Sequence, residues 1–284
     1  MINSGLTDTQ SNDVELICNY IVQEYGRDLR VYSHVFLMNS IAFRIAETGA
    51  SSAVEYVELL KSDASEINRL FNSMNIPYSV FFRNMIDFSI IEQFVLPELF
   101  NHHLADKAPM VRIWSAGCAT GQESYSLMML ADKFRQKHPR SSPAIVFGTD
   151  ISDESLALAA TGKFDARCIQ NVRLSQLDEY FTYTENSYTV KSELKCGVEF
   201  SRYDMLDANT SSPPSGIFGG FDMICCCNLL IYYKPEIQQA IINKLFRALR
   251  PKGFLMVDAS ERALLRQHQG FIAYSNVSNL FVKL

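Results

Sequence analysis

The sequence predicts a doubly wound α/β fold with a mostly parallel sheet, an N-terminal helical bundle and a small inserted β-subdomain. The sheet is predicted because apolar runs typical of buried strands alternate with amphipathic helical segments from Val111 onward. The bundle is predicted because the first part of the chain has helical periodicity alone. The inserted subdomain is predicted because residues 163–197 are long for a strand-to-helix connection and contain a hairpin pattern.

Length and composition indicate an ordinary globular protein of two domains, with 284 residues that are 48% hydrophobic and 20% charged. We expect a cytoplasmic protein without membrane insertion, because no apolar run is long enough for a span and the first residues lack signal-peptide character. The seven cysteines include three consecutive ones, Cys225–Cys227, in a predicted strand. They are expected to be buried apolar side chains, not disulfides or metal ligands, and no metal site is predicted.

The charge is unevenly distributed along the chain. Residues 1–78 contain 5 basic and 10 acidic side chains, whereas the remainder contains 21 of each. Binding to nucleic acid requires a basic face, so this distribution argues against a nucleic-acid substrate. A protein or small-molecule substrate is favoured.

The predicted elements follow in chain order. Apolar residues at three- and four-residue steps predict the four main helices of a domain at residues 1–78, namely Val14–Tyr25, Val35–Ala46, Ala53–Leu60 and Ser65–Phe71. Residues 79–108 are predicted to be a linker helix, helical over Ile86–Leu104 and kinked near Pro97. Residues 109–284 form the sheet domain. After the first strand, its further predicted strands are Ala144–Thr149, Val198–Tyr203, Phe221–Cys227 and Phe254–Val257, with a closing hairpin of Phe271–Tyr274 and Leu280–Lys283.

The most informative stretch is residues 111–123, where an apolar run ends in small residues and a G-x-x-x-G before a helical pattern begins. Such a turn brings bare backbone against a nucleoside cofactor at the carboxyl edge of a sheet. The spacing fits neither a dinucleotide nor a triphosphate, which leaves S-adenosylmethionine (SAM) as the first candidate. Gly117 and Gly121 are expected along its methionine portion, and Glu123 near its ammonium group. The alternative is that both glycines only allow tight packing.

Polar residues that follow the later strands extend this site. Asp150, after the second strand, is expected to accept both ribose hydroxyls, although it is also a possible helix N-cap. Asp204 and the backbone amide of Met205 are expected to contact the adenine edge; a solvated loop acid is the alternative. Asn228 and Leu229 follow the fourth strand, where the transferred methyl group is expected, and Tyr232 lies four residues after Asn228. A capped helix start is the other interpretation of that segment.

With these residues in view, the chain resembles the CheR-type chemoreceptor glutamate methyltransferases over nearly its full length. The family pattern includes a helical front domain and, in order, the segments T-x-F-F-R, W-S-A-G-C-S-T-G-E-E-P-Y-S, T-D-I-D, N-L-L-D, C-R-N-V-L-I-Y-F and an L-R-P-G-G hairpin. In this chain they correspond to Ser79–Arg83, Trp114–Ser126, Thr149–Ser152, Asp204–Asp207, Cys226–Tyr233 and Leu249–Gly253. The hairpin predicted within residues 163–197 also lies at the position where the family has a small β-subdomain.

The resemblance implies methyl transfer from SAM to a glutamate carboxylate of a receptor's cytoplasmic helical region, with S-adenosylhomocysteine (SAH) as the second product. It implies that Arg83 and Tyr232 lie nearest the methyl group, and that Ser79, Phe81 and Arg83 also contribute to the cofactor site. An interdomain or surface salt bridge is the alternative role for Arg83.

The chain departs from the family pattern at several positions. Substitutions within these motifs are Ser79 for Thr, Gln122 for Glu, Ser152 for Asp, Asp204 for Asn and Cys227 for Arg. In the family's late G-H-S-E segment, which corresponds to Asp258–Glu261, Ala259 takes the place of His. The second front helix, which presents arginines to acidic receptor helices in the family, has only Arg44 in the corresponding stretch. Two other functions therefore stay open, a SAM-binding regulatory module without catalysis and a methyltransferase with a different substrate.

Overall fold

The structure, a computed structural model, describes residues 8–74, 79–106, 110–214 and 220–284. The chain divides into two compact units: one takes in Met1–Ile76 and Ile231–Gln238, and the other takes in Pro77–Leu230 and Gln239–Leu284. The predicted domain boundaries after residues 78 and 108 fall on segments outside the described residues.

The first unit is a helical bundle, as predicted. Its helices are α1 (Asp8–Tyr25), α2 (His34–Thr48), α3 (Ala53–Ser62) and α4 (Ala64–Met74). Ile17 and Ile21 of α1, Tyr56 of α3 and Leu70 of α4 are completely buried, which is how the apolar stripes form one core. The returning segment Ile231–Gln238 belongs to this core unit, since the ring of Tyr233 stacks on Tyr32 at 5.2 Å.

The second unit contains a seven-stranded sheet between helices. Its elements are α5 (Met85–Ile90), α6 (Leu96–Asp106), β1 (Val111–Ala116), α7 (Gln122–Lys137), β2 (Ala144–Asp150), α8 (Asp153–Thr161), β3 (Lys163–Phe164), α9 (Leu174–Tyr180), β4 (Phe181–Thr184), β5 (Ser187–Val190), α10 (Ser192–Lys195), β6 (Val198–Arg202), β7 (Phe221–Cys226), α11 (Pro235–Ala248), β8 (Leu249–Val257), α12 (Arg262–Arg266), β9 (Phe271–Ala273) and β10 (Leu280–Lys283). Helix α11 starts within the first unit and ends in the second.

The strand order is β6-β2-β1-β7-β8-β10-β9. The first five strands of this order run parallel, and β10 is antiparallel to both β8 and β9. The predicted doubly wound sheet and its closing edge hairpin are therefore confirmed. Strands β2 and β6 lie on one side of β1, and β7 and β8 lie on the other, which creates a topological switch point at the carboxyl ends of β1 and β7.

Three local features differ from the predictions. The helix of the linker begins at Met85, and its irregularity is a π-helical turn at Ile91–Val95, directly before Pro97. Since proline has no N–H and clashes with the carbonyl four residues earlier, the widened turn accommodates Pro97 without a break.

The Leu249–Gly253 segment is not a hairpin. It is the first part of β8, with a bulge opposite Phe221–Met223.

The inserted segment contains a separate three-stranded sheet in the order β3-β5-β4. Strands β4 and β5 form the predicted hairpin, and its two turn residues Glu185 and Asn186 have φ of 50° and 60°. That left-handed pair is the turn that suits the twist of a two-residue hairpin. Within the described part of the chain, no helix is both long and apolar enough to cross a bilayer.

Candidate active site

Most of the residues predicted to bind the cofactor follow strands that end at one edge of the sheet. Ala116 at the end of β1 pairs with Thr149 near the end of β2, and Asp150 pairs with Arg202 at the end of β6. On the other side of β1, Ser115 pairs with Cys225 of β7. The carboxyl ends of these parallel strands therefore bring together the turns that follow them, at the switch point where ligands of such sheets bind.

The two glycines of the first turn have different surroundings. Gly117 has φ of 72° and its N–H donates to Thr149 O at 2.8 Å, which folds the turn over the end of β2. A Cβ at Gly117 would lie 3.3 Å from Leu229 Cδ1, so these two predicted site residues are neighbours. At Gly121, a Cβ would lie 3.0 Å from both Ala159 Cβ and Phe200 Cζ, which favours the packing interpretation for this glycine.

Asp150 is held by the backbone of two turns. Its Oδ2 accepts the N–H of Ala119 at 2.9 Å, and its Oδ1 accepts the N–H of Ser152 at 3.0 Å. The N-cap role at α8 belongs instead to Ser152, whose hydroxyl accepts the Ser155 N–H. Burial raises the pKa of Asp150 in spite of these backbone hydrogen bonds. Each oxygen keeps acceptor capacity, so the carboxylate is fit to receive the two hydroxyls of a ribose.

Glu123 is the second carboxylate of this edge. Its Oε1 accepts the hydroxyl of Ser115 at 2.7 Å. Burial raises the pKa of Glu123, and a hydrogen bond from Ser115, another from Cys227 and the positive charge of Arg83 oppose that rise. Because a buried carboxylate favours a cationic partner, Glu123 is suited to an ammonium group.

Asn228 follows β7 in a left-handed conformation with φ of 58°, which Asn tolerates better than most residues. Its side-chain Oδ1 is buried, and among the described residues it has no hydrogen-bond partner. An orphaned buried acceptor is costly unless a ligand supplies a donor. This atom therefore points to a bound group with N–H or O–H donors.

The Asn228 turn is fixed by Glu261, a residue that the sequence-based site lacked. Glu261 is completely buried, and its carboxylate accepts the backbone N–H of Asn228, Leu230 and Asp258 at 3.1, 2.8 and 3.0 Å. It thereby joins the turn after β7 to the turn after β8. In the sequence, Glu261 ends the segment that corresponds to the family's G-H-S-E, but its residue type and spacing do not distinguish a buried glutamate from a solvated one.

Asp204 and Met205 follow β6, where the adenine was predicted. Asp204 is exposed, and its Oδ1 accepts the N–H of Leu206 at 2.8 Å, while the Met205 side chain is buried. Both the adenine contact and the loop-acid interpretation remain compatible with this geometry.

The Ser79–Arg83 segment forms an irregular loop before α5. Ser79 is partly buried at its start, and Phe81 is completely buried with its ring edge-on to Phe164 at 4.8 Å. Phe81 therefore anchors the loop by its side chain. Arg83 is exposed, and its charge acts on two carboxyl groups, Glu123 and Asp258. Burial alone would raise the pKa of Asp258, but hydrogen bonds from Ser260 and Asn84, together with Arg83, hold it below its usual value.

Tyr232 belongs to the helical unit. Its ring lies 4.7 Å from that of Phe36, and its carbonyl accepts the N–H of Ser33 at 2.7 Å. Its predicted place beside the methyl group stays a prediction.

The residues at the sheet edge fit SAM. Asp150 is available for the ribose, Glu123 and the unpaired Asn228 Oδ1 for the ammonium group, and the Gly117 turn for close backbone approach. Burial raises the pKa of both carboxyl groups in spite of the hydrogen bonds that each one accepts. A ligand with ammonium and sulfonium charges opposes that rise.

Two family models match this chain: the CheR methyltransferase SAM binding domain over residues 78–277 and the CheR methyltransferase all-alpha domain over residues 12–74. The chain is 29% identical to chemotaxis protein methyltransferase 1 of Pseudomonas aeruginosa, covering 88% of this chain and 89% of that protein. It is 27% identical to the chemotaxis protein methyltransferase of Listeria innocua, covering 90% of this chain and 92% of that one.

A third relative is an uncharacterized 104.1 kDa protein of Rhodobacter capsulatus, 32% identical over 78% of this chain. The match spans only 22% of that longer protein. The two matched domains together account for most of this chain, and both come from one kind of enzyme. The chain therefore belongs to the CheR methyltransferase family and is a SAM-dependent methyltransferase.

Proposed function

We propose that the protein transfers the methyl group of SAM to the γ-carboxylate of a glutamate in the cytoplasmic helical region of a chemoreceptor. The observation that carries this proposal is Arg83, an exposed cation whose charge acts on the partly buried carboxylate of Glu123 at the edge of the sheet. The carboxylates of Asp150 and Glu123 suit a cationic cofactor, and the arginine suits an anionic acceptor beside it.

The main task of the protein in this reaction is to align the acceptor carboxylate with the methyl group of SAM. SAM supplies an activated methyl group and its own leaving group. A glutamate side chain is ionised near neutral pH, so no general base is needed. Its oxygen forms a bond to the methyl carbon while the carbon–sulfur bond breaks, the electron pair stays on sulfur, and no proton moves. Arg83 holds the acceptor carboxylate in line, which contributes to the rate through proximity and orientation.

The side chains of α2 favour recognition of the receptor without positive charges on this helix. Arg44, the arginine of this helix, donates two hydrogen bonds of 2.9 Å to the buried carboxylate of Glu66, so it acts within the bundle. The exposed side of α2 presents the apolar side chains Val35 and Phe43, which are 65% and 54% exposed. We infer that the receptor region meets this unit through apolar contacts. The cytoplasmic location predicted from the sequence agrees with such an acceptor.

The experiment uses purified protein, SAM labelled on the methyl group and cytoplasmic fragments of receptors from one bacterium. The proposal expects incorporation of label that mild base removes, because carboxyl methyl esters hydrolyse. Arg83→Ala is expected to lower turnover by about a hundredfold with SAM affinity nearly unchanged, the scale of losing a positioned charge at a reacting centre. Arg266→Ala is the matched control, since Arg266 is exposed and distant in sequence.

Each other outcome points elsewhere. Base-stable label would indicate a nitrogen or sulfur acceptor and contradict glutamate methylation. Binding of SAM without transfer to any receptor fragment, together with transfer to another protein or a small molecule, would favour a different substrate. Equal turnover of Arg83→Ala and the unaltered protein would reject the role of Arg83.

A further inference from the structure

The loop that carries Arg83 has an unusual backbone. Phe82, directly before Arg83, has φ of 50°, a left-handed conformation that is unfavourable for a bulky side chain. Phe81 and Phe82 are both buried, whereas Arg83 is exposed. A strained conformation of this kind persists only where its surroundings enforce it. The direction of the chain at Arg83 therefore depends on the contacts that hold Phe82.

The backbone N–H of Phe82 is held by a single side chain of helix α7. It donates to the hydroxyl of Ser126 at 3.1 Å, and the same hydroxyl donates to the carbonyl of Gln122 at 2.7 Å. Ser126 is completely buried. Both its acceptor and its donor capacity are thus used, and an alanine would leave the Phe82 N–H buried without this partner.

Two further hydrogen bonds hold the loop at other backbone groups. The Phe82 carbonyl accepts from Asn171 Nδ2 at 3.5 Å, and the Phe81 N–H donates to the Cys168 carbonyl at 3.0 Å. Neither replaces the hydrogen bond at the Phe82 N–H. Among the described contacts, Ser126 is the one that ties this strained residue to α7, the helix that begins directly after Gly121 of the glycine turn.

We propose that Ser126 is a positioning residue for methyl transfer: its hydroxyl fixes Phe82 in the left-handed conformation and so aims Arg83 relative to the cofactor turn. This inference rests on the proposed role of Arg83 at the acceptor carboxylate. Helix α7 starts at the turn and carries Ser126 one turn later, so the relay Phe82 N–H, Ser126 hydroxyl and Gln122 carbonyl links the arginine to the backbone that meets the cofactor.

The chain offers a matched control on the same helix. Ser124 is also completely buried, but its hydroxyl has no hydrogen-bond partner among the described residues. Ser126→Ala and Ser124→Ala are therefore the same substitution in the same helix, with and without loss of the relay. Ser126→Thr retains a hydroxyl that can bond the carbonyl four residues earlier and still accept the Phe82 N–H; if this variant does not fold, the comparison of Ser126→Ala with Ser124→Ala decides alone.

The first measurement is amide hydrogen exchange at Phe82 in the full chain, with no acceptor present. Ser126→Ala is expected to raise the exchange rate of this amide at least about tenfold relative to the unaltered protein. Ser124→Ala and the hydroxyl-retaining variant are expected to leave it within about threefold. Unchanged exchange in Ser126→Ala would overturn the inference, whether or not the protein methylates receptors.

The second measurement is turnover at saturating SAM together with SAM affinity by calorimetry. Ser126→Ala is expected to lower kcat at least about tenfold with the SAM Kd within about twofold, since small misplacements of a reacting group have large effects on rate. In an Arg83→Ala background the same substitution is expected to have less than about a twofold further effect, because it acts through Arg83. If the losses in kcat of the two single variants added in the double variant, the inference would be overturned. If the unaltered protein transferred no methyl group to receptor fragments, the proposed function would be rejected instead. In that case the exchange rate at Phe82 would still decide the role of Ser126.

Discussion

The predicted contact between Asp150 and the ribose of SAM can be tested directly with Asp150→Asn. The two carboxylate oxygens accept the N–H groups of Ala119 and Ser152, and the Ile151 N–H also acts on this carboxylate; its remaining acceptor capacity is available to ribose hydroxyls. Hydrogen bonds to a charged group contribute about 1.5 to 3 kcal/mol each. Taking the lower figure for both hydroxyls gives about 3 kcal/mol, which is more than a hundredfold in Kd.

Isothermal calorimetry with SAM and with SAH measures this loss. Asp153→Asn is the matched control, because Asp153 is an exposed carboxylate three residues later on the first turn of α8. Its Kd is expected to stay within about twofold of the unaltered protein. If Asp150→Asn also bound SAM within twofold, the ribose assignment would be refuted.

The raised pKa of Asp150 leads to a prediction of how SAM affinity depends on pH. Burial raises the pKa of Asp150 above its ordinary 3.8, so its acceptor function is lost as pH falls through that raised value. SAM affinity should therefore decline at a higher pH than an ordinary aspartate would allow. The Asp150→Asn variant should lose most of this dependence, and an identical pH profile in both proteins would contradict the reasoning.

Three further outcomes test other parts of the structure. Glu261→Gln should lower the free energy of unfolding by about 2 kcal/mol, since a carboxylate that accepts three buried N–H groups becomes an amide; a loss below about 0.5 kcal/mol by urea denaturation would contradict this. Arg44→Ala should cost about 3 kcal/mol by the same assay because it leaves the buried Glu66 without its bidentate partner, whereas Lys61→Ala, at an exposed pair, should cost less than about 1 kcal/mol. The KM for a receptor fragment should change less than about threefold between low and moderate salt, and a tenfold rise would indicate charge-driven docking.

The glycine turn and the alternation of strands with helices made the fold predictable from the sequence. Both depend on local patterns: Gly117 ends an apolar run, and the apolar stripes of the first four helices keep helical spacing. The positions of Asp150 and Asn228 at the ends of their strands were predictable for a related reason, whereas their contacts with the cofactor stay predictions. A polar residue that directly follows a buried strand of a parallel sheet is placed at the ligand edge by topology.

Other parts of the site depend on tertiary contacts and have no comparable signal. Glu261 and Ser126 act through backbone groups far away in the chain, so neither spacing nor residue type indicates their roles. Gly121 resembles Gly117 in the sequence, yet its neighbours Ala159 and Phe200 come from other elements. The single arginine in the corresponding stretch of α2 could not be classed as docking or structural before its bond to Glu66 was seen.

The central claim is that the edge of the sheet between the Gly117 turn and Asn228 holds the cofactor, with Arg83 directed at its reactive end. A crystal structure with bound SAH tests this most directly. The claim predicts the ribose hydroxyls on the Asp150 carboxylate, the ammonium group within hydrogen-bond distance of Glu123 or Asn228 Oδ1, and the Arg83 guanidinium on the sulfur side of the ligand. SAH bound at another place, or Arg83 turned away from the sulfur, would contradict it.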